Sequence, residues 1–201
     1  MKKKAELVFI PVPAMGHLVS AIQLAKLLVN LNFNLSIKVL AIKPPRDAKV
    51  SAYINSLTAD TTAAATISRI KFIVLQQSGA EVDVFRFTGS LVQTHGPLVK
   101  EAVASIVEHA NSVPDSPRLA GFVIDLFLTQ LVDLANKFGV PSYAFFTAGA
   151  GFLGFQFYTQ ALHDEQNVDF VELKDSDTEF TIPSYVNPVS TKLFPSVYHL
   201  P

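Results

Sequence analysis

Residues 6–17, written ELVFIPVPAMGH, decide the predicted fold of this chain. The short run Glu6–Ile10 is rich in β-branched and aromatic residues, which predicts a buried strand. Two prolines end that strand, and apolar residues then recur at helical spacing from Leu18 to Val29. A strand followed by an amphipathic helix is the opening half of a βαβ unit.

Four more runs of this kind predict four more strands, at residues 35–42, 70–75, 121–124 and 142–146. Apolar residues at helical spacing predict further helices at residues 92–110, 128–138 and 150–162. Gly96-Pro97 should start or kink the first of these helices. Strands that alternate with helices indicate an α/β fold, a Rossmann-like parallel sheet with helices on both faces.

Two stretches carry no predicted element. Residues 58–66 are rich in Thr and Ala and are interpreted as a loop, and an acidic stretch from His163 is followed by four prolines. We therefore divide the chain into a Rossmann-like core, residues 1–165, and an acidic, then Pro-rich loop region of the same domain, residues 166–201. The chain is expected to stop before the last elements of its domain.

The composition excludes several classes of protein. Of the 201 residues, 49% are hydrophobic and 16% are charged, so most of the chain is expected to be folded. Sixteen basic and seventeen acidic residues give no positive excess for nucleic acid or for an anionic membrane. The chain has no cysteine, which excludes disulfides and thiolate metal ligands. Sixteen Phe residues predict a large apolar interior, a lipophilic ligand or both.

Neither a signal peptide nor an integral membrane segment is predicted. The basic start Met1–Lys4 precedes an apolar run that is too short and is broken by proline, so a cytoplasmic protein is expected. Residues 138–162 carry no charge and are long enough to span a bilayer. Their polar side chains and glycines instead favour a buried strand followed by a buried helix.

Ligands of open parallel sheets bind beyond the carboxyl ends of the strands, where the strand order reverses. If the order is the common 3-2-1-4-5, that point lies between the first strand, which leads to His17, and the fourth, which ends in Asp125. An imidazole can take a proton from a hydroxyl while a carboxylate fixes its tautomer and stabilises the imidazolium. Singly, His17 could merely open a helix and Asp125 cap one. As a pair at the switch point, they favour a catalytic role.

The remaining motifs give weaker evidence of function. The other four histidines have no helical metal-ligand spacing, so no metal site is expected, and no Gly-x-Ser-x-Gly or Walker motif is present. Gly149–Gly154 matches G-x-G-x-x-G after a predicted strand, which leaves dinucleotide binding as an alternative. These glycines could equally serve close packing or the approach of a ligand to the backbone.

Three stretches together resemble one family. Residues 8–18, VFIPVPAMGHL, resemble the start of the plant UDP-dependent glycosyltransferases, the secondary-metabolite branch of glycosyltransferase family 1. Residues 124–127, IDLF, and residues 139–151, GVPSYAFFTAGAG, are similar to the second and third signatures of that family. The resemblance runs in order through essentially the whole chain. It is nearest to the group that glycosylates flavonoids, other phenolics and terpenoids.

The resemblance implies the N-terminal, acceptor-binding half of a GT-B fold. It implies inverting transfer of a sugar, usually glucose, from a UDP-sugar co-substrate to a hydroxyl of a lipophilic molecule, without a metal. By position, His17 is the general base, Asp125 is its orienting partner, and Thr147 reaches the donor sugar. The C-terminal donor-binding domain, which would pack against this chain in the full-length protein, is expected to be absent from these 201 residues.

The resemblance also implies contacts with the acceptor, for residues beside the base and for aromatic side chains that could cover a flat acceptor: Gly16, His17, Phe85, Phe87, Phe127 and Phe152. Packing in the core is an equally good interpretation of each Phe. The isolated chain is expected to be inactive. The alternatives are a fragment that binds an aglycone without turning it over and, less well supported, a dinucleotide-binding oxidoreductase domain.

Overall fold

Five parallel strands form one sheet in the computed structural model of the chain, which describes residues 4–44, 47–59, 67–76 and 88–199. The strands lie in the order β3-β2-β1-β4-β5, and every neighbouring pair is parallel. The predicted strands are confirmed, and their order is the common one on which the expected meeting of His17 and Asp125 depends. Their bounds are β1 Ala5–Ile10, β2 Leu35–Lys43, β3 Ile70–Gln76, β4 Arg118–Asp125 and β5 Ser142–Phe145.

Five α-helices and four 3₁₀ helices accompany the strands in the described ranges. The α-helices are α1 Met15–Leu31, α2 Ala48–Ala59, α3 Thr88–Ser112, α4 Val132–Lys137 and α5 Ala150–Gln166. The 3₁₀ helices cover Ile67–Arg69, Leu126–Leu131, Thr191–Leu193 and Ser196–His199. Each predicted helix is present, although the one predicted at 128–138 divides into the second 3₁₀ helix and α4.

Two expectations about helices need correction. Helix α2 was not predicted, although Val50 and Ile54 are buried at helical spacing and Leu57 packs beside them. Gly96-Pro97 was expected to start or kink a helix, and the first of these alternatives is wrong, because α3 begins at Thr88 and carries Pro97 inside. A proline inside a helix removes a backbone hydrogen bond. The turns that follow it are held on the sheet by the buried side chains Val99, Val103 and Ile106.

Alternate residues of the strands face two different layers of helices. On one face, Val8 and Ile10 of β1 pack with α3, the 126–131 helix and α4. On the other face, Phe9 packs with α1, and further along that face α1 and α2 pack together over Ala41 of β2. Side chains of a strand point alternately to opposite faces, so a central strand between two helical layers is apolar on both. The predicted helices on both faces are confirmed.

The chain divides into two compact units, residues 1–147 and residues 148–201. The second unit holds α5, an antiparallel pair of short strands, β6 Glu179–Phe180 and β7 Val189–Ser190, and the last two 3₁₀ helices. The expectation of no regular element beyond the acidic stretch is therefore wrong. The expected boundary at 165/166 follows composition, whereas the compact units divide before α5, because α5 packs on the residues that follow it.

Aromatic side chains hold this second unit together. Phe155 of α5 is 2% exposed and meets the rings of Phe194 and Tyr198 edge-on, with ring centroids 4.8 and 5.3 Å apart. Edge-to-face pairs at such distances are favourable beyond the area that they bury. Several of the sixteen Phe residues are therefore packed in this core.

The glycines of the G-x-G-x-x-G match lie against the loop around Ser184. A Cβ built on Gly154 would lie 2.5 Å from Ser184 Cβ, and a Cβ built on Gly151 would lie 3.2 Å from Tyr185 Cε1. The Ser184 hydroxyl also donates to the carbonyl of Gly151 at 2.8 Å. Two of the three glycines thus serve close packing, one of the interpretations that the sequence left open.

The uncharged residues 138–162 form β5 and most of α5, as predicted. Within the described ranges, no helix is long and apolar enough to cross a membrane.

One buried polar side chain stands out on α3. His95 is 1% exposed, and within the described ranges neither of its ring nitrogens has a hydrogen-bond partner. Burial disfavours the charged imidazolium, which lowers the pKa of His95 below its ordinary value of 6.5. The folded protein therefore keeps this ring neutral at a pH where the unfolded chain would begin to protonate it.

We expect the free energy of unfolding to fall as the pH drops below about 6.5, because the unfolded chain then binds a proton that folded His95 does not. This single group can contribute at most about 1.4 kcal/mol per pH unit, and it contributes nothing well above that pH. Urea denaturation between pH 5 and 8 measures the effect. His95→Phe should flatten the acid side of the curve, whereas His163→Phe, at an exposed position of α5, should not. An unchanged slope in His95→Phe would contradict the assignment.

Candidate active site

The carboxyl ends of β1 and β4 lie side by side. Ile10 pairs with Ile124, so the loop after β1 and Asp125 at the end of β4 leave the sheet at the same edge. The loop is buried at residues 11–13, and the amide of Ala14 donates to the carbonyl of Val12 at 2.8 Å. This tight connection starts α1 at Met15, which places His17 in its first turn.

His17 and Asp125 meet at this edge. His17 Nδ1 lies 2.7 Å from Asp125 Oδ2, and the two side chains are 15% and 1% exposed. Because a carboxylate only accepts hydrogen bonds, Nδ1 carries the proton, and Nε2 of the neutral ring carries the lone pair. The structure thus brings together the two residues that the strand order predicted to meet, in the tautomer that a general base needs.

Asp125 makes a second hydrogen bond with its other oxygen. Oδ1 accepts from the backbone N–H of Phe127 at 3.1 Å, and Asp125 is the N-cap of the 126–131 helix. Capping and pairing with His17 are alternatives in the sequence, but the carboxylate does both. A buried charge is costly unless its lone pairs are used, and these two donors satisfy one oxygen each.

Thr147 also reaches His17. Its Oγ1 lies 3.1 Å from His17 Nδ1. Since the Nδ1 proton is directed to Asp125, the threonine oxygen is a second acceptor for the same N–H, and its own proton remains to be donated elsewhere. The family resemblance implies only a contact of Thr147 with the donor sugar, so this contact with His17 was not predicted. A signal was available, because Asp125 pairs with Phe145, two residues before Thr147, at the same edge of the sheet.

The other predicted site residues fall into three groups. Phe127 packs on His17, with ring centroids 5.5 Å apart at an interplanar angle of 47°. Gly16 is exposed, and a Cβ built there would meet open space. Phe152 lies in the second unit, where it stacks on Phe155 with centroids 5.6 Å apart. Phe85 and Phe87 lie outside the described residues. In the described part of the chain, no three His, Asp or Glu side chains group as metal ligands would.

Comparisons with known proteins agree with this geometry. No protein-family model matches the chain. The chain is 44% identical to UDP-glucose flavonoid 3-O-glucosyltransferase 6 of Fragaria ananassa, over 98% of its own length and 40% of that protein. It is 40% identical to UDP-glycosyltransferase 71B6 of Arabidopsis thaliana, over 97% of its own length and 39% of that protein. The chain thus spans well under half the length of these curated relatives.

Solved structures give the same result. A UGT transferase from Siraitia grosvenorii in complex with UDP superposes with a TM-score of 0.76 and 38% identity, covering 98% of this chain and 39% of that one. Medicago truncatula UGT71G1 complexed with UDP-glucose has a TM-score of 0.71 and 30% identity, covering 97% and 40%. The predicted fold class, a Rossmann-like α/β sheet of the kind that forms the N-terminal half of a GT-B fold, is confirmed. The chain is therefore similar to plant UDP-glycosyltransferases along nearly its whole length, and it matches about 40% of theirs.

Proposed function

We propose that the protein to which this chain belongs is an inverting UDP-glycosyltransferase. It transfers glucose from UDP-glucose to a hydroxyl of a lipophilic small molecule such as a flavonoid, another phenolic or a terpenoid. The observation that carries the proposal is the 2.7 Å hydrogen bond between His17 and Asp125 at the switch point of the sheet. A relative named as a UDP-glucose flavonoid glucosyltransferase and a similar structure complexed with UDP-glucose support the choice of substrates.

In the proposed reaction, His17 is the general base. Nε2 takes the proton of the acceptor hydroxyl while the hydroxyl oxygen forms a bond to the anomeric carbon of the sugar. The bond between that carbon and the β-phosphate oxygen breaks, and UDP leaves with the electron pair. The imidazolium that forms lies against the Asp125 carboxylate, which stabilises its charge and holds the ring in place.

Thr147 has two roles in this proposal. Its oxygen accepts from His17 Nδ1–H and so helps Asp125 to fix the ring. The proton of its hydroxyl has no acceptor among the described residues, and the hydroxyl donates it in a hydrogen bond to the sugar of UDP-glucose. One side chain then links the orientation of the base to the presence of the co-substrate.

The acceptor site is proposed around this base. Gly16 leaves room beside His17, and the ring of Phe127 packs on the ring of His17. A flat acceptor could therefore lie against an aromatic surface. Phe85, Phe87 and Phe152 stay predictions for this role. A C-terminal donor-binding domain that packs on this chain, a mechanism without a metal or another cofactor, and a cytoplasmic location are further parts of the proposal.

The alternatives are less well supported. A chain that only binds an aglycone would not need a buried carboxylate on the far side of the imidazole from its accepting nitrogen. A dinucleotide site at Gly149–Gly154 would need open backbone there, whereas Gly154 and Gly151 are packed on Ser184 and Tyr185.

The proposal is tested on the full-length protein with UDP-glucose and a panel of flavonoids, with chromatography of the products. His17→Ala should lower kcat by about 10²–10⁴-fold, the usual contribution of a general base. Acceptor binding, measured by fluorescence quenching, should persist. The exposed His163→Ala is the matched control and should retain wild-type turnover. Wild-type activity in His17→Ala would refute the mechanism, and absence of transfer by the wild type would favour the binding-only alternative.

Thr147→Val should lower kcat/KM by about 5–30-fold, the effect of losing roughly one or two hydrogen bonds, whereas Thr147→Ser should stay near the wild type. The pH–rate profile separates the two roles. Loss of the acceptor on Nδ1 weakens the stabilisation of the imidazolium, so the acid limb should move to lower pH. A rise in KM for UDP-glucose with an unchanged pH–rate profile would mean that Thr147 contacts the sugar but does not help to orient His17.

Asp125→Asn should separate capping from catalysis. The amide oxygen can still cap the 126–131 helix, so stability should stay near the wild type, whereas Asp125→Ala should lose about 1–2 kcal/mol. The amide NH₂ would face His17 Nδ1 and move the ring proton to Nε2, which should lower transfer by roughly 10²-fold or more. Urea denaturation and imidazole ¹⁵N shifts measure the two effects. A ring that keeps its proton on Nδ1 in Asp125→Asn would contradict this.

A further inference from the structure

One face of the sheet changes from apolar to charged at the amino ends of its strands. On β1 the side chains that face α3 are Glu6, then Val8 and Ile10. Lys38 of β2 precedes Leu40 and Ile42 on this face, and Lys71 of β3 precedes Ile73 and Leu75. The register aligns them, since Val8 pairs with Lys38 and Lys38 with Lys71. Charges at the buried Glu6 and the half-buried Lys38 are unusual, since such positions are normally apolar, whereas Lys71, on the edge strand β3, is exposed.

A cavity of about 260 Å³ lies at this end, beneath the last turns of α3. Its polar lining comes mainly from Lys4, Glu6, Lys38, Arg69, Lys71 and His109. Apolar atoms of Phe33, Ile106 and Pro117 complete its wall. Because the strands are parallel, this cavity is at the opposite end of β1 and β4 from His17 and Asp125.

The charges of the cavity do not balance. Glu6, 4% exposed, is satisfied internally, because it pairs with Lys38 Nζ at 2.9 Å and accepts from the Ser36 hydroxyl at 3.1 Å. No carboxylate of the described residues lies within ion-pair distance of Lys4, Arg69 or Lys71. Three positive charges therefore remain, although the chain as a whole has a formal charge of −1.

Arg69 is held in place by groups that do not neutralise it. Its Nη1 donates to the carbonyls of Asn32 at 2.8 Å and Leu35 at 3.2 Å, and its guanidinium lies 5.7 Å from the centroid of the Phe33 ring. A positioned guanidinium, nearby lysines and low-dielectric walls concentrate positive potential in a concave site.

We propose that this cavity binds a small organic oxyanion, a carboxylate or a phosphate ester carried on a compact apolar body. The excess of positive charge selects the anionic group, and the apolar wall and the volume select a body of about one ring. This site is separate from the proposed glycosyl transfer and does not depend on it. The competing explanation is that the cations only complement the C-terminal carbonyls of α3, which would leave the cavity without a ligand.

Phenyl phosphate, benzoate and benzylamine are titrated into the full-length protein by calorimetry, with saturating UDP present so that a nucleotide site cannot account for binding. Neither anion offers a hydroxyl for glycosylation. One of the anions or both should bind with one-to-one stoichiometry and more weakly at high salt, while benzylamine should not bind. The anion that binds more tightly shows whether the cavity prefers a carboxylate or a phosphate ester. Hydrogen exchange should slow at residues 34–38 and 106–110.

Lys71→Glu should weaken anion binding at least fivefold, and Lys4→Glu, at an exposed residue just before β1, should do the same if Lys71→Glu fails to fold. Lys100→Glu carries the same charge change to an exposed position of α3 outside the cavity, so it should change the affinity less than twofold. Absence of binding by both anions, equal binding of benzylamine, or equal loss in Lys100→Glu would each overturn the proposal.

Discussion

The parallel pairing of β1 between β2 and β4 determines where chemistry can occur in this domain. All three strands present their carboxyl ends at one edge and their amino ends at the other. At the first edge, the pair Ile10–Ile124 brings the loop that leads to His17 beside Asp125. At the second edge, the pair Glu6–Ser36 places a buried carboxylate beside a hydroxyl. A single six-residue strand thus contributes to both polar sites.

Asp125 couples the local fold to the candidate chemistry. Its two oxygens bind two different donors, the amide that starts the 126–131 helix and the imidazole of His17. The helix fixes the carboxylate, and the carboxylate fixes the ring, so the imidazole of His17 is oriented by backbone structure. Orientation of this kind before the substrate binds is how a protein stabilises a developing charge without reorganising at the moment of reaction. The N-cap is therefore part of the site.

The sheet and the place of its carboxyl edge could be predicted from the sequence, because both depend on the pairing of the backbone and not on side-chain conformation. Strand order and parallel pairing placed His17 and Asp125 together without any knowledge of side-chain conformation. The contact of Thr147 with the same nitrogen depends on a rotamer, which no sequence pattern encodes. Phe127 and Phe152 were equivalent in the sequence, yet one ring packs on His17 and the other on Phe155. Their neighbours are long-range contacts that only the folded chain defines.

Other misses have different physical causes. The strands β6 and β7 have two residues each, too few for any alternation to be seen. The charged layer at the amino ends departs from the expectation that the strands are buried on both faces throughout. Glu6 and Lys38 depart from that pattern together, because they form an ion pair in which each charge compensates the other.

The rigid sheet limits how the two polar edges can communicate. They are separated by the length of β1, roughly 20 Å for six residues of strand. Energetic coupling over such a distance needs an element with two discrete arrangements. β1 is buried, paired on both sides and packed on both faces, so it offers one arrangement only. A ligand at the amino edge would therefore bind equally well whatever the conformation of His17. Such a ligand cannot change the population of those conformations. The oxyanion cavity is thus better understood as an independent binding site than as a control on the base.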